Sequence, residues 1–328
     1  MELRVTRARR VYSDGKHNAF TGITRLGERV FICFRSGLTH VSYDGVIKVI
    51  ASEDREKWSV VTEKAREATD LRDPKLATFK EQVLLYCGGR SEGSPLRSFV
   101  ATSTGGRTFG DLTPLEGIPE GHWLWSVKPC GEKLYGAAYT SGETACQVAL
   151  YCSGDGVRWE KVTDFPVPGN EAALDFDLQG RLWALVRDDR QGCLPTLCAA
   201  APPYAAFASV VRPPVRLQGP MLKRLEGACV IAGRRWDNPG RRNLRTDLFL
   251  WEDGHDLAFV RSLPSGGDTS YAGWLDLGPG RGLISYYSSH EHKMDLSWED
   301  EQSKEDVAHA EHSTGADIFL ADVSYRLD

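Results

Sequence analysis

Glu171 and Arg187 are the two residues whose types and spacing first suggest chemistry. They open and close the stretch EAALDFDLQGRLWALVR, which reads as two short strands joined by a turn at Gln179 and Gly180. In a tight antiparallel hairpin, the start of the first strand and the end of the second lie side by side. We therefore expect the carboxylate and the guanidinium to face one solvent-filled space at one edge of a sheet.

Six apolar hexamers recur through the chain, and Arg187 ends one of them. Their last residues are Arg35, Gly88, Tyr139, Arg187, Arg234 and Tyr287, at steps of 53, 51, 48, 47 and 53 residues. Each hexamer follows a weaker strand-like segment and a polar turn, so each unit contains a hairpin. A repeat of about 50 residues with four short strands is typical of a propeller blade. The sequence predicts an all-β, six-bladed β-propeller that forms a single domain over residues 1–328.

Both ends of the chain contribute to the last blade in this prediction. Residues 2–7 supply its outer strand and close the ring, and residues 317–323 supply its third strand. A hydrophilic insertion at about 291–314 interrupts the blade, and between residues 291 and 311 it carries eight carboxylates against two lysines. So many like charges do not pack into a core. We expect a loop or short helix that covers the mouth as a lid, with a plain surface loop as the alternative.

Equivalent positions in the six units form rings at the mouth of the central channel. One ring consists of the hexamer ends given above. The other lies sixteen residues earlier, at the start of the innermost strands: Ala19, Arg72, Trp123, Glu171, Gln218 and Tyr271. Arginines can fork onto a carboxylate and aromatic rings can stack on a sugar face, so this mouth suits an anionic or polyhydroxylated ligand. The alternative is a solvated rim in which the arginines pair with Asp70, Asp73, Asp188 and Glu291.

A second repeated mark, a turn closed by an aromatic residue, connects the sequence to a known family. Residues 153–159, SGDGVRW, show the pattern most completely, and residues 52–58 and 103–109 share its spacing. This turn resembles the Asp-box, or bacterial neuraminidase repeat, of the sialidase superfamily, whose fold is a six-bladed propeller. In that superfamily the box lies on the outside of each blade, away from the chemistry.

The resemblance implies roles for individual residues. The family places a Glu sixteen residues before an Arg that binds the substrate carboxylate, as Glu171 stands before Arg187, and a nucleophilic Tyr in the sixth blade, where this chain has Tyr271. A phenol has an ordinary pKa of about 10 and attacks poorly, so Glu171 would act as its base. For the acid, an Asp on a blade-one loop in the family, the chain offers Asp44 and His40, and Asp44 also suits a hairpin turn. Asp73 is the other carboxylate near the mouth, where it could instead orient an arginine.

The chain also departs from the family pattern. Sialidases begin the first blade with Arg-Ile-Pro, but the matching place reads KHNAF, so the first arginine of the carboxylate-binding triad is absent. Arg35 or Arg72 would have to replace it. For the third arginine the register favours Arg234, whereas the family's distance to the tyrosine favours Arg242. Further residues fall at the mouth by register: His17, Asn18, Trp123, Asp268, Tyr287 and His290. The chain looks more like uncharacterised sialidase-like bacterial proteins than like true sialidases.

Composition argues against several other classes of protein. The net charge of −5 and the absence of a basic stripe argue against nucleic-acid binding. The amino terminus lacks the apolar segment of a secretory signal, and no apolar run is long enough to span a membrane. The eight cysteines sit mostly singly in apolar runs, which predicts reduced core thiols and a cytoplasmic protein unless a leader has been removed. No metal or other cofactor is expected, because no element would bring these histidines together: His290, His292, His309 and His312.

The sequence therefore favours an exo-acting glycoside hydrolase of the sialidase type. It would cleave a terminal sugar, with an acidic one favoured by the arginines, and would retain the anomeric configuration through Tyr271. The alternative is a carbohydrate-binding propeller without catalysis, because the first arginine is missing. A protein-interaction scaffold would need an apolar top face, which the mouth rich in arginine, tyrosine and histidine does not supply. The identity of the sugar and the oligomeric state stay open.

Overall fold

The computed structural model describes residues 1–140, 146–190, 194–235, 244–292 and 315–326, and its regular elements are all β-strands. Two sequence predictions lie outside the described residues. One is the assignment of Arg242 as the third arginine, and the other is the lid, since residues 293–314 make up nearly all of the acidic insertion.

The described residues form six antiparallel sheets of four strands each, and these are the six blades. The first three blades follow one another along the chain. Blade 1 consists of β2 (His17–Leu26), β3 (Arg29–Gly37), β4 (Val46–Ser52) and β5 (Ser59–Lys64). Blade 2 consists of β6 (Thr69–Phe79), β7 (Gln82–Ser91), β8 (Arg97–Thr104) and β9 (Thr113–Pro114). Blade 3 consists of β10 (His122–Cys130), β11 (Lys133–Thr140), β12 (Val148–Ser153) and β13 (Glu160–Asp164).

The other three blades include one that joins the two ends of the chain. Blade 4 consists of β14 (Ala172–Phe176), β15 (Leu182–Val186), β16 (Thr196–Ala200) and β17 (Ala208–Val211). Blade 5 consists of β18 (Leu217–Leu225), β19 (Ala228–Arg235), β20 (Arg245–Glu252) and β21 (Leu257–Ser262). Blade 6 consists of β22 (Thr269–Gly278), β23 (Arg281–Ser288), β24 (Asp317–Arg326) and β1 (Glu2–Tyr12).

The first strands of the blades line the central channel. Strand β2 contacts β6 and β22, β10 contacts β6 and β14, and β18 contacts β14 and β22, so these six strands form a closed ring. The prediction of an all-β, six-bladed propeller is confirmed. Blades 2, 4 and 6 therefore approach the channel from three different sides.

The predicted hexamers are the second strands, and their composition follows from their place between blades. Strand β3 is buried along nearly its whole length, because neighbouring blades cover both faces of the sheet. A strand buried on both faces reads as a continuous apolar run rather than an alternating one. Between blades 1 and 2, for example, Phe31 and Ile47 pack in one apolar cluster with Leu71 and Leu85. Much of the core therefore consists of layers between adjacent blades.

Strand β1 closes the ring as predicted. It pairs antiparallel with β24, with Leu3 opposite Tyr325 and Val5 opposite Val323. Leu3 is buried in the apolar layer shared by blades 5 and 6. The beginning of the chain thus completes a sheet whose other strands come from its end, and the ring is fastened by backbone hydrogen bonds.

Two outer turns show how the repeated aromatic turn is built. Asp54 Oδ1 accepts hydrogen bonds from the backbone N–H groups of Glu56 and Lys57 at 2.9 and 2.8 Å, and Asp155 Oδ1 accepts the equivalent pair at 2.8 and 2.9 Å. Each turn joins the third and fourth strands of its blade, on the side away from the channel. The turns stabilise the blades locally and take no part in the site described below.

Several innermost strands are interrupted at the channel mouth. Register shifts occur in β2 after Ala19, in β6 after Arg72 and in β22 after Ser270. Left-handed φ values accompany them at Phe20 (63°) and Tyr271 (48°). An irregularity of this kind turns a side chain out of the alternating pattern, and such positions are frequent at functional sites. The described residues include no helix with the length and apolarity needed to cross a membrane.

Candidate active site

The predicted register at the mouth is confirmed in five of the six blades. Ala19 lies opposite Arg35, Arg72 opposite Gly88, Trp123 opposite Tyr139 and Gln218 opposite Arg234. In blade 4 the backbone N–H of Arg187 donates to the Glu171 carbonyl at 2.8 Å. Blade 6 differs by one position, since Ser270 rather than Tyr271 lies opposite Tyr287. Blade 6 has a second register shift, between Asp276 and Gly278, in addition to the one that follows Ser270, and this extra irregularity accounts for the offset.

An open cavity of about 490 Å³ lies at this mouth. Its size is in the range of small-ligand sites. Blades 2, 3, 4 and 6 supply most of its lining: Arg72, Asp73, Arg90, Trp123, Tyr139, Cys146, Asn170, Glu171, Arg187 and Tyr271. The rings of Trp123 and Tyr139 stack with centroids 6.2 Å apart and form an aromatic wall. The cavity thus combines charged groups with a flat apolar surface, as sugar-binding sites do.

Tyr271 and Glu171 form the best-defined contact in the cavity. The phenolic hydroxyl donates to Glu171 Oε1 at 2.6 Å, and Arg187 Nη1 donates to Glu171 Oε2 at 2.8 Å. The backbone N–H of Gly219 also donates to Oε2, at 3.0 Å. Burial, reinforced by the negative charge of Glu171, raises the pKa of Tyr271 well above its ordinary value, against the opposing effect of Arg187. Tyr271 is therefore a neutral phenol whose hydroxyl is in direct contact with a carboxylate.

Asp73 is a buried carboxyl group that lines the same cavity. Only 5% of its surface is exposed, and its backbone has φ of 46°. Its Oδ1 atom is buried and has no hydrogen-bond partner among the described residues. Burial raises the pKa of Asp73 to about 6, an effect that Arg72 opposes and Glu171 strengthens. Asp73 can thus carry a proton under mildly acidic conditions.

Asp268 is the centre of a second polar cluster, next to the tyrosine. Its Oδ1 accepts hydrogen bonds from Arg234 at 2.8 Å and Tyr287 at 2.7 Å, and its Oδ2 contacts His17 at 2.7 Å and His40 at 2.5 Å. Burial disfavours its charge, but His40, Arg234 and the bond from His17 outweigh burial and hold the pKa of Asp268 well below its ordinary value. Asp268 is therefore an ionised carboxylate, and each of its two oxygens has two polar contacts within the protein.

The side chains of His17, His40 and Asp268 also have the types and spacing to hold a metal ion. Their three ligand atoms lie within 4.8 Å of one another. The histidines that the sequence analysis weighed as metal ligands were different ones: His290 contacts Ser288 and Phe319, and His292 pairs with Asp317. Because the protein itself supplies all four contacts to Asp268, the cluster is complete as a hydrogen-bonded unit.

The arginines of the predicted rings differ in how strongly they are paired. Arg35 is fully buried and donates to Asp70 at 2.7 Å and to the Thr39 carbonyl at 2.7 Å, so it is the structural ion pair that the alternative prediction described. Arg187 is shared between Glu171 and Asp189, each at 2.8 Å. Arg234 is bonded to the Asp268 cluster and to the Thr269 carbonyl at 2.8 Å. These three arginines are each neutralised by at least one carboxylate of the protein.

Arg72 and Arg90 are less fully paired. Arg72 lies 3.6 Å from Asp70, its Nε is buried without a partner among the described residues, and its guanidinium lies 5.0 Å above the Phe20 ring. Arg90 is exposed, lines the cavity and lies 5.8 Å from the centre of the Trp123 ring. Sequence reasoning missed Arg90, although it stands two residues after the hexamer end Gly88 and thus on the same face of the strand.

Other predicted site residues lie away from the cavity lining. Asp44 is exposed, and its carboxylate accepts a 3.0 Å hydrogen bond from the backbone N–H of Leu38, as a turn residue would. Asn18 is buried and donates to Asp14 at 2.8 Å. Tyr287 and His17 join the cluster around Asp268 rather than the cavity wall. His40, which the sequence offered together with Asp44 on the loop after β3, contacts Asp268 instead.

The fold has close counterparts among solved structures. An unknown-function protein from Dyadobacter fermentans covers 99% of both chains with a TM-score of 0.78 at 14% identity. The Hadza microbial sialidase Hz136 covers 93% of this chain and 65% of its own with a TM-score of 0.68 at 12% identity. The phage phi92 endosialidase covers 98% of this chain and 69% of its own with a TM-score of 0.71 at 8% identity.

Sequence comparison adds nothing to these structural likenesses. The sequence matches no protein-family profile and no curated protein. The TM-scores establish the fold, whereas sequence identities this low leave the activity open. The resemblance inferred from the repeated turns and the six hexamers is confirmed at that level, and the protein is a sialidase-like six-bladed β-propeller.

Proposed function

We propose that this protein is a retaining exo-glycosidase that acts on a terminal sugar, with Tyr271 as nucleophile and Glu171 as its base. The 2.6 Å hydrogen bond from the Tyr271 hydroxyl to Glu171 Oε1, inside an open cavity, carries the proposal. Two of the similar structures are named as a sialidase and an endosialidase, which supports a carbohydrate substrate here. An acidic sugar is favoured because two arginines that line the cavity are incompletely paired.

The first half of the reaction forms a bond between the enzyme and the sugar. Glu171 Oε1 takes the phenolic proton as the Tyr271 oxygen bonds to the anomeric carbon and the glycosidic bond breaks. Asp73 gives its proton to the departing oxygen. We propose Asp73 for this step in place of Asp44, because Asp73 lines the cavity with a raised pKa, whereas Asp44 is exposed and bonded to Leu38.

The second half releases the sugar. Asp73 takes a proton from water, the water oxygen bonds to the anomeric carbon, and the bond to Tyr271 breaks. Glu171 then returns its proton to the phenolate. Two successive inversions leave the anomeric configuration unchanged. Arg187 remains against Glu171 Oε2 throughout and holds the carboxylate in line with the phenol.

The cavity also contains polar atoms that could bind substrate hydroxyls. Trp123 Nε1 and Asp73 Oδ1 are buried and have no hydrogen-bond partner among the residues that the structure describes. A buried polar group without a partner costs about 1–3 kcal/mol, so a ligand that satisfies it gains affinity. One donor and one acceptor beside an aromatic wall suit a ring with several hydroxyl groups.

Substitution of the two central residues tests this proposal. Tyr271→Phe and Glu171→Gln should each lower turnover of a responsive glycoside at least about a hundredfold, the scale expected for a lost nucleophile or base. Tyr325→Phe and Glu53→Gln, which change the same residue types in outer parts of blades 6 and 1, serve as controls and should leave turnover unchanged. Turnover like that of the wild type in both Tyr271→Phe and Glu171→Gln would rule out the mechanism.

A carbohydrate-binding propeller without catalysis is the second candidate. It is favoured by the pairing of Arg187 and Arg234 with carboxylates of the protein and by the absence of the first family arginine, whose place reads KHNAF. This candidate predicts saturable glycan binding by calorimetry and no product by mass spectrometry after long incubation.

A further inference from the structure

We infer that the acidic group of the substrate binds to Arg72 and Arg90 of blade 2, and is therefore attached to the sugar away from the anomeric carbon. This inference rests on the proposed glycosidase function and names its substrate class. It points to sugars with a carboxylate or sulfate remote from the anomeric carbon, such as hexuronic acids and sulfated hexoses. It disfavours sugars whose carboxylate is attached to the anomeric carbon.

The charges around the nucleophile form the first part of the argument. A carboxylate on the anomeric carbon would lie one bond from the atom that Tyr271 attacks, and so beside Glu171. Arg187, whose Nη1 is 3.5 Å from the Tyr271 hydroxyl, already faces two carboxylates, Glu171 and Asp189. These three charged groups sum to −1. A second anion at this place would have to compete with Glu171 for the same guanidinium.

Arg234 offers no better site for such a carboxylate. It lies 5.6 Å from the centre of the Tyr271 ring, but its Nη2 donates to Asp268 and to the Tyr287 hydroxyl at 2.8 and 2.7 Å. Its Nε donates to the Thr269 carbonyl. Breaking the contact with Asp268 would leave a buried carboxylate short of a partner, which is costly.

Blade 2 carries the opposite balance of charge. The single carboxylate of Asp70 serves two arginines: its Oδ1 accepts from Arg35 at 2.7 Å, whereas its Oδ2 is 3.6 Å from Arg72. Arg72 is only 8% exposed, and its Nε has no partner among the described residues. With the exposed Arg90, the charges of Asp70 and the three arginines sum to +2, and the neighbouring Asp73, which lines the same cavity, lowers the total to +1 when it is ionised. An anion placed here would satisfy a buried donor, and the balance of charge is positive in both protonation states of Asp73.

The geometry of the two arginines suits a sugar acid. Asp70 lies opposite Arg90 in the pairing of β6 with β7, so Arg72 and Arg90 come from neighbouring strands of one blade at one edge of the cavity. Arg90 stacks near Trp123, the residue that begins the aromatic wall. A guanidinium fork binds a planar carboxylate or a sulfate through two parallel hydrogen bonds. A ring stacked on the wall would present its anionic group to this pair.

A substrate panel tests the inference. The full-length protein is assayed with 4-methylumbelliferyl hexuronides, sulfated hexosides, their neutral counterparts and 4-methylumbelliferyl N-acetylneuraminide. We expect kcat/KM for at least one remote-acid sugar to exceed that of its neutral counterpart by about ten- to a hundredfold, the scale of a charge-assisted contact. Arg72→Lys and Arg90→Gln should each reduce this preference, with Arg107→Gln, an exposed arginine outside the cavity, as control. A preference for the neuraminide that Arg72→Lys and Arg90→Gln leave intact would overturn the inference.

A binding arm separates failure of the inference from failure of the proposed function. Calorimetry with glucuronate, galacturonate, galactose 6-sulfate and N-acetylneuraminate measures affinity whether or not a bond is cleaved. If no glycoside is hydrolysed, the proposed function fails. The anion site then stands if glucuronate, galacturonate or galactose 6-sulfate binds and Arg72→Lys weakens that binding, and it falls if none of the three binds. Tighter binding of N-acetylneuraminate than of these three, independent of Arg72 and Arg90, overturns the inference alone.

Discussion

Tyr271 and Glu171 are one hundred positions apart in the chain, yet the tyrosine hydroxyl donates a 2.6 Å hydrogen bond to the glutamate. Tyr271 lies in blade 6 and Glu171 precedes the first strand of blade 4, so the packing of blades 4, 5 and 6 around the channel brings them together. Arg187 and the Gly219 N–H hold the second glutamate oxygen. Residues of blades 4, 5 and 6 therefore fix one contact between a phenol and a carboxylate, and the proposed nucleophile requires this geometry.

Turnover should depend on the protonation of Asp73. Burial raises the pKa of this carboxyl from 3.8 to about 6, and the proposed acid must carry its proton, so kcat/KM should fall as the pH rises through about 6. Measurement of kcat/KM from pH 4 to 9 checks this. Asp73→Asn should lose activity chiefly on glycosides with poor leaving groups, whereas Asp44→Asn should keep the wild-type profile. If kcat/KM of Asp73→Asn still fell with rising pH as it does in the wild type, the acid would be another residue.

The same group should affect stability in a pH-dependent way. The folded protein binds the Asp73 proton more tightly than the unfolded chain does, so the associated stability is present at low pH and is lost as the pH rises from about 4 to about 6. Asp73→Asn removes this dependence. Urea unfolding at both pH values measures the free energy of unfolding of each protein. The value for the variant minus that for the wild type should be about 2 kcal/mol larger at pH 7.5 than at pH 4.5. An equal offset at the two pH values would contradict a raised pKa.

Arg35 should behave as a structural residue, contrary to its sequence assignment to substrate binding. It is fully buried against Asp70, so Arg35→Met leaves a buried carboxylate with only the more distant Arg72. The free energy of unfolding should fall by about 3 kcal/mol or more. Arg90→Gln, at an exposed site, should change it by no more than about 0.5 kcal/mol. Chemical denaturation of both variants measures the difference, and a stable Arg35→Met protein with weakened ligand binding would restore the original assignment.

Strand β1 should be essential for folding. Its pairing with β24 closes the ring, and Leu3 is buried between blades 5 and 6. Deleting residues 2–12 would expose the edge of β24 and open that apolar layer. Thermal unfolding followed by circular dichroism should lose its cooperative transition. Arg4→Ala, an exposed change on the same strand, is the control and should melt like the wild type. A cooperative transition at the wild-type temperature in the truncated protein would show that closure is dispensable.

Much of the fold was predictable because the signal is repeated. Six hexamers at steps near fifty residues fix the number of blades, and the spacing of sixteen residues fixes which residues lie opposite each other, as Trp123 and Tyr139 do. Chain ends that each lack part of a blade predict closure by β1. These features depend on periodicity and backbone pairing, which a sequence shows directly.

The side-chain arrangement of the site was less predictable. An extra register shift between Asp276 and Gly278 moves Tyr271 one position from its expected partner, and the left-handed backbone at Asp73 turns a carboxyl into the cavity. Both effects depend on local φ values that hydrophobic patterning does not show. The contact of His40 with Asp268 joins residues 228 positions apart, and it depends on how a loop of blade 1 lies against blade 6. No spacing rule predicts such a contact.

The most direct test of the proposed mechanism is to trap the sugar on the enzyme. A fluorinated analogue of the sugar that is turned over, carrying a fluoride leaving group, slows the second half of the reaction more than the first. After incubation and proteolysis, mass spectrometry should find the sugar attached to the peptide that contains Tyr271, and no adduct in Tyr271→Phe. An adduct on another residue, or continued turnover by Tyr271→Phe without any adduct, would contradict the assignment of Tyr271 as nucleophile.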